Sequence, residues 1–368
     1  MLEQNYRSTQ NILDVANSII KVGKKGNVKT LWTEREGGDP IFTYVAEDEE
    51  EEASFVADKI NALVGEGRYK YGDFAVFYRV NAQSRAIEEA MLNEGIPYRI
   101  YGGVRFYDRK EIKDIIAYLR LIVNENDDHA FLRVVNTPPR GVGSITVGRL
   151  IEEGKKCGSL FHCARKAERS AGLKAFVSLI EELREFSRDA ELEAIVRTVI
   201  EKSGYDAMLN SSKDEQSQSR LENLQELVFV AMSYRDVGKE AIQAFLDNVT
   251  LISAQDRHSS EGGDSSKGHV SLMTLHVAKG LEFPVVFLTG FENGLLPHIR
   301  SIEEGNFEEE RRLCYVGVTR AKDILFLTRA ETRGLFSSGF FREISPFALS
   351  IPDDKLEDLS GDFKGYAA

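Results

Sequence analysis

Residues Asp73 to Val80 read DFAVFYRV, a continuous apolar run of strand length. Such a run is characteristic of a strand covered on both faces, as in a parallel sheet flanked by helices. Upstream, PIFTYVA (Pro40–Ala46) reads as another strand, followed by a helix to about Val64. Downstream, a helix over Ala82–Asn93 leads to another strand, IPYRIYGG (Ile96–Gly103). Strand and helix alternate, which predicts an α/β fold with a parallel sheet.

Near Asp108 the rhythm changes. In EIKDIIAYLRLIV, Ile112, Ile115, Ile116, Leu119 and Ile122 share one helical face. The segments FVSLIEELREF, LEAIVRTVIEKSG and LENLQELVFVAMSY are also amphipathic, the last through Leu221, Leu224, Leu227 and Val228. Stripes of this kind ordinarily mean a helical core. SAQDRHSSEGGDSSKG (Ser253–Gly268) reads as a flexible linker. Strands then return at His269–His276, Phe283–Gly290 and Asp323–Ala330, the last after a helix centred on EEERRLCYVGV. The expected organisation is a discontinuous α/β domain over 1–108 and 269–345. An all-helical insertion over 109–268 interrupts it, and a tail covers 346–368.

Hydrophobic residues make up 42% of the 368, enough for packed cores. No apolar run of membrane-spanning length and no basic-then-apolar leader is present, so no membrane partner and a cytoplasmic location are expected. Cys157, Cys163 and Cys314 make no disulfide framework, and His162 beside the first two completes no zinc pattern. All three read as reduced thiols, and no resident metal is expected. The net charge of −12, from 47 basic and 59 acidic residues, argues against a broadly basic nucleic-acid binder but leaves room for a local groove. The acids Glu47–Glu52 read as the solvated first turn of a helix continued by Ala53, Val56, Ala57 and Ile60, where negative charge suits the helix dipole.

Three cation-bearing stretches flank the α/β elements: QNYRST (Gln4–Thr9), TLHVAKGLEFPVVF (Thr274–Phe287) and RRLCYVGVTRAKD (Arg311–Asp323). A lone surface arginine is usually solvated or ion-paired. Together on one sheet, the stretches suggest a single edge lined with cations and a loop glycine. Paired guanidinium forks suit a phosphoryl group.

LEQNYRST (Leu2–Thr9), LMTLHVAKGLEFPVVFLTGFENGLLPH (Leu272–His298) and EEERRLCYVGVTRAK (Glu308–Lys322) resemble motifs IV, V and VI of the UvrD/PcrA/Rep helicases of superfamily one, in the same order. AVFYRVNAQSRAIEEAML, PYRIYGGVRFYDRKEIKDIIAYLRLI and RVVNTPPRGVG resemble the stretches between, and the likeness runs from Leu2 to about Thr332. The resemblance implies a RecA-like second motor domain (2A) with a helical insertion (2B). The family moves 3′ to 5′ along single-stranded DNA by ATP hydrolysis and unwinds duplex ahead of it. The phosphate loop that would seat ATP and Mg²⁺ is absent, since no G-x-x-x-x-G-K-[ST] occurs. Asp214-Glu215-Gln216 mimics the acidic magnesium motif but reads as a solvated loop. The chain is therefore expected to begin mid-motor, as a C-terminal half that is inactive alone. Its expected partners are the first motor domain, single-stranded DNA, a duplex–single-strand junction and DNA repair proteins. The rival reading is a stand-alone DNA- or protein-binding module.

By resemblance, Tyr6 stacks on adenine, Arg7 and Arg320 reach the γ-phosphate, and Glu282 bonds the ribose. Gln4 and Gly280 fall in the same nucleotide-facing turns. The plain alternative for Arg320 is a helix C-terminal cation. Asn81 and His298 match family positions that touch the single strand, and Thr274 and His276 lie in the same motif V strand, though a histidine near a turn is more often simply exposed. Gly141 and Gly143, ahead of a helix at Ser144, resemble a duplex-contacting turn whose free N–H groups would take phosphate. A plain tight turn is the alternative there. The tail after Thr332 follows the family only loosely.

Overall fold

The computed structural model describes residues 4–21, 32–35, 37–166, 170–212, 214–262, 268–334 and 343–361, without the side chains of 155–157 and 253–262. The chain begins with α1 (Gln10–Lys21), β1 (Ile41–Ala46), α2 (Glu49–Gly65), β2 (Phe74–Tyr78), α3 (Ser84–Asn93) and β3 (Tyr98–Tyr101). Helices follow: α4 (Lys110–Val123), α5 (Asp128–Val134), α6 (Ser144–Cys157), α7 (Leu160–Lys166), α8 (Ala171–Phe186), α9 (Leu192–Ser203), α10 (Tyr205–Ser211), α11 (Glu215–Met232) and α12 (Ala241–Gly262). The chain then forms β4 (Val270–Thr274), β5 (Phe283–Leu288), α13 (Ile299–Glu303), α14 (Phe307–Val318), β6 (Ala321–Ala330) and β7 (Leu356–Asp358).

The seven strands form one sheet in the order β3-β4-β2-β5-β6-β1-β7, every neighbouring pair parallel. β2 lies near its centre with all five residues buried. Phe74, Val76 and Tyr78 face a core shared with Phe55 and Val56 of α2 and with Ala86 and Ile87 of α3. Ala75 and Phe77 face the opposite core, built with Ile12 and Val15 of α1 and with Cys314 and Val318 of α14. Two covered faces explain why this strand carries no polar alternation.

The described residues divide into two compact units. One holds the sheet and its helices, from 1–105, 255–333 and 338–368; the other holds 106–254 and 334–337. The second unit encloses its own core, including Ile112, Ile115, Leu119, Phe176, Ile195 and Leu227. Cys163 and Cys314 are buried and take part in no disulfide among the described residues, while the side chain of Cys157 lies outside them.

Four features depart from the sequence expectations. The stretch read as a linker from Ser253 continues α12 to Gly262, because Ser, Gln, Asp, Arg and His are tolerated in a helix and no proline stops it; residues 263–267 lie outside the described set. Asp214 is not in a loop. It N-caps α11, its carboxylate accepting from the Ser217 N–H at 2.7 Å, and this backbone bond holds its pKa below the usual range. The acidic run does start α2 behind an Asp48 cap, yet Glu49 and Glu52 are buried rather than solvated. Glu52 pairs with buried Arg333 and accepts from the Gly290 N–H (3.0 Å) and the Thr328 hydroxyl (2.6 Å). Arg333 also grips Glu292, Nη2 to Oε1 at 2.8 Å, so the turn after β5 is held by a paired buried charge. Finally, the tail adds β7 beside β1, with Ile41 opposite Leu356. Leu359 reaches the core, while Ser360 Oγ accepts from the Val45 N–H.

Candidate functional site

Three segments converge at the amino ends of β5 and β6: Asn5–Thr9, the Gly280–Glu282 turn and Thr319–Lys322. Ahead of α1, the Ser8 hydroxyl donates to Ala321 O (2.6 Å) and the Thr9 N–H to Lys322 O (3.2 Å). The Asn5 side chain accepts from the N–H groups of Arg7 (2.7 Å) and Ser8 (3.0 Å), a tight turn of the kind asparagine favours. Arg7 Nε then donates to Glu282 Oε2 at 2.5 Å, and Nη1 to Thr319 O at 3.3 Å. The other Glu282 oxygen takes Lys322 Nζ at 2.7 Å. Arg320, just past α14, donates to Val316 O (3.0 Å), Leu281 O (3.1 Å) and Thr319 Oγ1 (3.2 Å). The two guanidinium groups therefore bracket Thr319. Gly280 has φ +92°, and an added Cβ would meet nothing within 4 Å, so backbone conformation rather than space calls for glycine. The Tyr6 ring is 76% exposed, with its hydroxyl donating to Gln4 Oε1 at 2.6 Å. Gln4 in turn donates to Glu34 at 3.0 Å.

All six residues proposed for a nucleotide thus lie in one neighbourhood. Sequence reasoning missed two others. Lys322 stood in the quoted TRAK without a role. Arg35, which had no local signal, donates to Arg7 O and to Lys322 O (3.1 Å) and pairs with Asp323 at 2.7 Å. An open parallel sheet usually binds its ligand at the carboxyl ends of its strands. This cluster lies at the amino ends, because α14 runs against the strands and delivers Arg320 there.

The cluster carries the positive charges of Arg7, Lys322 and Arg320 around one carboxylate. Lys322 and then Arg7 hold Glu282 below the usual carboxylate range. Burial, and then the neighbouring Arg7, lower the pKa of Arg320. Charge of one sign in excess, partly desolvated and arrayed on forked donors, suits a phosphoryl group. The exposed Tyr6 ring offers a flat face for a base. Among the described residues, no group of three or more His, Cys, Asp or Glu side chains is placed to hold a metal ion.

The residues proposed for a single strand lie at the opposite end of the sheet. Asn81 opens a short turn after β2, Thr274 ends β4, and His276 is exposed in the following turn. His298 departs from expectation. Only 4% exposed, it lies inside the turn after Leu296-Pro297, and burial, then Arg79 and Arg300, push its pKa down to about 4. Its backbone N–H donates to Glu310 Oε2 at 3.0 Å. The ring is packed inward and presents no stacking face, so of the two histidines only His276 lies at the surface. Glu310 and its partner Arg79 were not singled out from sequence; Arg79 Nε lies 3.1 and 3.0 Å from the two Glu310 oxygens, and Nη2 lies 2.6 Å from Oε1.

In the other unit, Gly141 has φ +74°. Gly143 caps α6 at φ −79° with no side-chain hydrogen bond to the first turn. The loop is fixed from within, as Asn136 Oδ1 accepts from the Arg140 N–H (2.7 Å) and the Val142 N–H (3.2 Å). Nothing lies within 4 Å of where a Cβ would stand on Gly141 or Gly143. The amino end of α6 is thus an uncapped turn with open space beside it.

Residues 1–332 match the family model described as UvrD-like helicase C-terminal domain. The ATP-dependent DNA helicase PcrA of Bacillus subtilis is 43% identical over 371 residues, covering 98% of this chain and 50% of the relative. DNA helicase II of Escherichia coli is 43% identical over 372 residues, covering 97% and 51% respectively. The ATP-dependent DNA helicase UvrD1 of Mycobacterium tuberculosis is 41% identical over 386 residues, covering 97% and 49%. The chain spans about half the length of these relatives.

Proposed function

The chain belongs to the UvrD-like helicase C-terminal domain family, and from that premise we propose that it serves as the C-terminal half of an ATP-dependent DNA helicase that translocates 3′ to 5′. The observation that carries this reading is the pair Arg7 and Arg320 bracketing Thr319, with Lys322 and Glu282 beside them and an exposed Tyr6 at the rim. In this reading a first motor domain supplies the phosphate loop and the magnesium ligands, and this chain closes over the nucleotide. Tyr6 stacks on adenine and Glu282 takes the ribose. Arg7 leaves its carboxylate partner to meet the γ-phosphoryl, and Arg320 meets it from the end of α14. Phosphoryl transfer spreads negative charge over oxygens, which such arginines stabilise most in the transition state. Asn81, Thr274 and His276 line the single-strand track at the other end of the sheet, and the amino end of α6 takes a duplex phosphate. An acidic chain thereby meets DNA through local donors rather than net charge.

The test is steady-state ATP turnover with and without single-stranded DNA. The 368-residue chain alone is expected to match a no-protein blank, because no phosphate loop occurs in its sequence. Joined in one polypeptide to a first motor domain of the same family, it is expected to hydrolyse ATP in a DNA-stimulated manner. Turnover by the chain alone, or none by the joined chain, contradicts the reading.

A further inference from the structure

Helix α14 links the two ends of the sheet. Its twelve residues span about 18 Å at the usual helical rise. Its last turn leads into Thr319 and Arg320. Its first turns carry Glu310, a carboxylate only 3% exposed. Both Glu310 oxygens are engaged by the far end of the sheet: by the Arg79 fork, by the His298 N–H at 3.0 Å and by the Ser301 hydroxyl at 2.9 Å. Burial pushes this carboxyl up, but Arg79 and the two further donors outweigh it and hold it below its usual range. Arg79 directly follows β2 and stands two residues before Asn81. Its own N–H and that of Val80 donate to Gln83 Oε1 at 2.9 and 3.0 Å, so this turn is fixed through backbone as well as side chain.

The next residue on α14 ties in the second nucleotide-facing segment. Arg311 Nη1 donates to Ile19 O near the end of α1 at 3.0 Å, and its guanidinium lies over Phe307 and Phe347 at 5.1 and 5.4 Å. At the other end, Ser8 and Thr9, just before α1, are bonded to Ala321 and Lys322, just past α14. The two helices are thus joined at both ends. They carry Arg7 and Arg320 at one end and hold Asn81 and the His298 turn, through Glu310, at the other. Packed helices linked by buried bonds shift as a body rather than deforming continuously.

We propose that Glu310 and Arg79 are positioning residues that hold the DNA-facing turns and the nucleotide-facing arginines in one register, so that single-stranded DNA at one end of the sheet raises phosphoryl transfer at the other. The inference rests on the function proposed above. Neither side chain touches the nucleotide cluster; each acts through the helix. Coupling between two sites of one protein commonly amounts to roughly 5–150-fold, so loss of this link should remove about tenfold of the DNA stimulation.

The experiment uses the chain joined to its first motor domain, as wild type, Glu310→Gln, Arg79→Lys and the double variant. Glutamine keeps the shape and removes the charge; lysine keeps the charge and removes the fork. Turnover is measured without DNA and at saturating oligothymidylate, together with nucleotide affinity and the thermal unfolding midpoint. Expected are basal turnover and nucleotide affinity within about threefold of wild type, stimulation about tenfold lower, and a double variant no worse than the worse single one, because the two residues act as a unit. A merely structural role would lower basal and stimulated turnover together, in step with the unfolding midpoint, and that outcome overturns the proposal. So does stimulation within twofold of wild type in Arg79→Lys, the milder change. A wild-type joined chain that DNA does not stimulate removes the functional reading and the inference with it, whereas stimulated wild type with equally stimulated variants removes the inference alone.

Discussion

Arg320 donates its three hydrogen bonds to uncharged oxygens, while Arg7 is held by a carboxylate. Its charge is therefore the more directly available to an arriving anion. In the joined chain, Arg320→Ala should lower DNA-stimulated turnover by roughly 10³–10⁵-fold, the range for an inserted arginine. Nucleotide affinity should change far less, because the contact tightens in the transition state. Lysine should restore little, lacking the fork. Turnover within a few-fold of wild type in the alanine variant would reduce Arg320 to a helix-end cation. At the opposite end, His298 is buried in its neutral form, with its pKa down at about 4 and with Arg79, Arg300 and Glu310 around it. A histidine whose folded pKa lies below its unfolded value of about 6.5 contributes stability that is complete above that value and is lost as pH falls toward 4. At full extent the shift amounts to on the order of 3 kcal/mol. Urea unfolding of wild type and His298→Gln at pH 7.5 and pH 5 should show the wild type losing more stability than the variant; equal losses would mean the ring is not held neutral. Tyr6, Arg7, Glu282 and Arg320 were legible because each stands in a recognisable motif. Lys322 as the second partner of Glu282, the inward turn of His298 and the Glu52–Arg333 pair were not, because each depends on groups tens to hundreds of residues away along the chain.

Among the elements, the short turn into α6 carries a prediction of its own. Gly143 sits at φ −79°, which proline can adopt, so Gly143→Pro removes one N–H donor without forcing the turn. Affinity for a duplex–single-strand junction should fall, and affinity for a single strand should fall less. Equal loss on both, or no loss with the fold retained, counts against a duplex role for this turn. The central strands were readable because burial on two faces leaves an apolar run, as in Phe74–Tyr78 and in Val285–Leu288. Periodic apolar stripes likewise located α4, α8, α9 and α11. The far part of α12 was misread because polar residues without an apolar stripe resemble a linker, although nothing in Ser253–Glu261 forbids a helix. β7 escaped because three residues, LED, on a sheet edge carry no pattern; it is placed by pairing with β1 and by Leu359 reaching the core.

For the molecule as a whole, the sheet-bearing unit separates its candidate residues between its two ends, the cations Arg7, Arg320 and Lys322 at the amino ends of β5 and β6, and Asn81 and Thr274 at the carboxyl ends of β2 and β4. That division suits a motor, which must take up energy at one place and move a strand at another. On the proposed reading, a chain of net charge −12 meets DNA through local uncharged donors, while its clustered cations serve the nucleotide at the other end. The most direct measurement is strand displacement by the chain joined to a first motor domain, on duplexes bearing a single-stranded tail at either the 3′ or the 5′ end. ATP-dependent displacement is expected with the 3′ tail, little with the 5′ tail, and none with either in Arg320→Ala. No ATP-dependent displacement from the 3′ tail, or equal displacement from both tails, would contradict the assignment of this chain as half of a 3′-to-5′ DNA helicase.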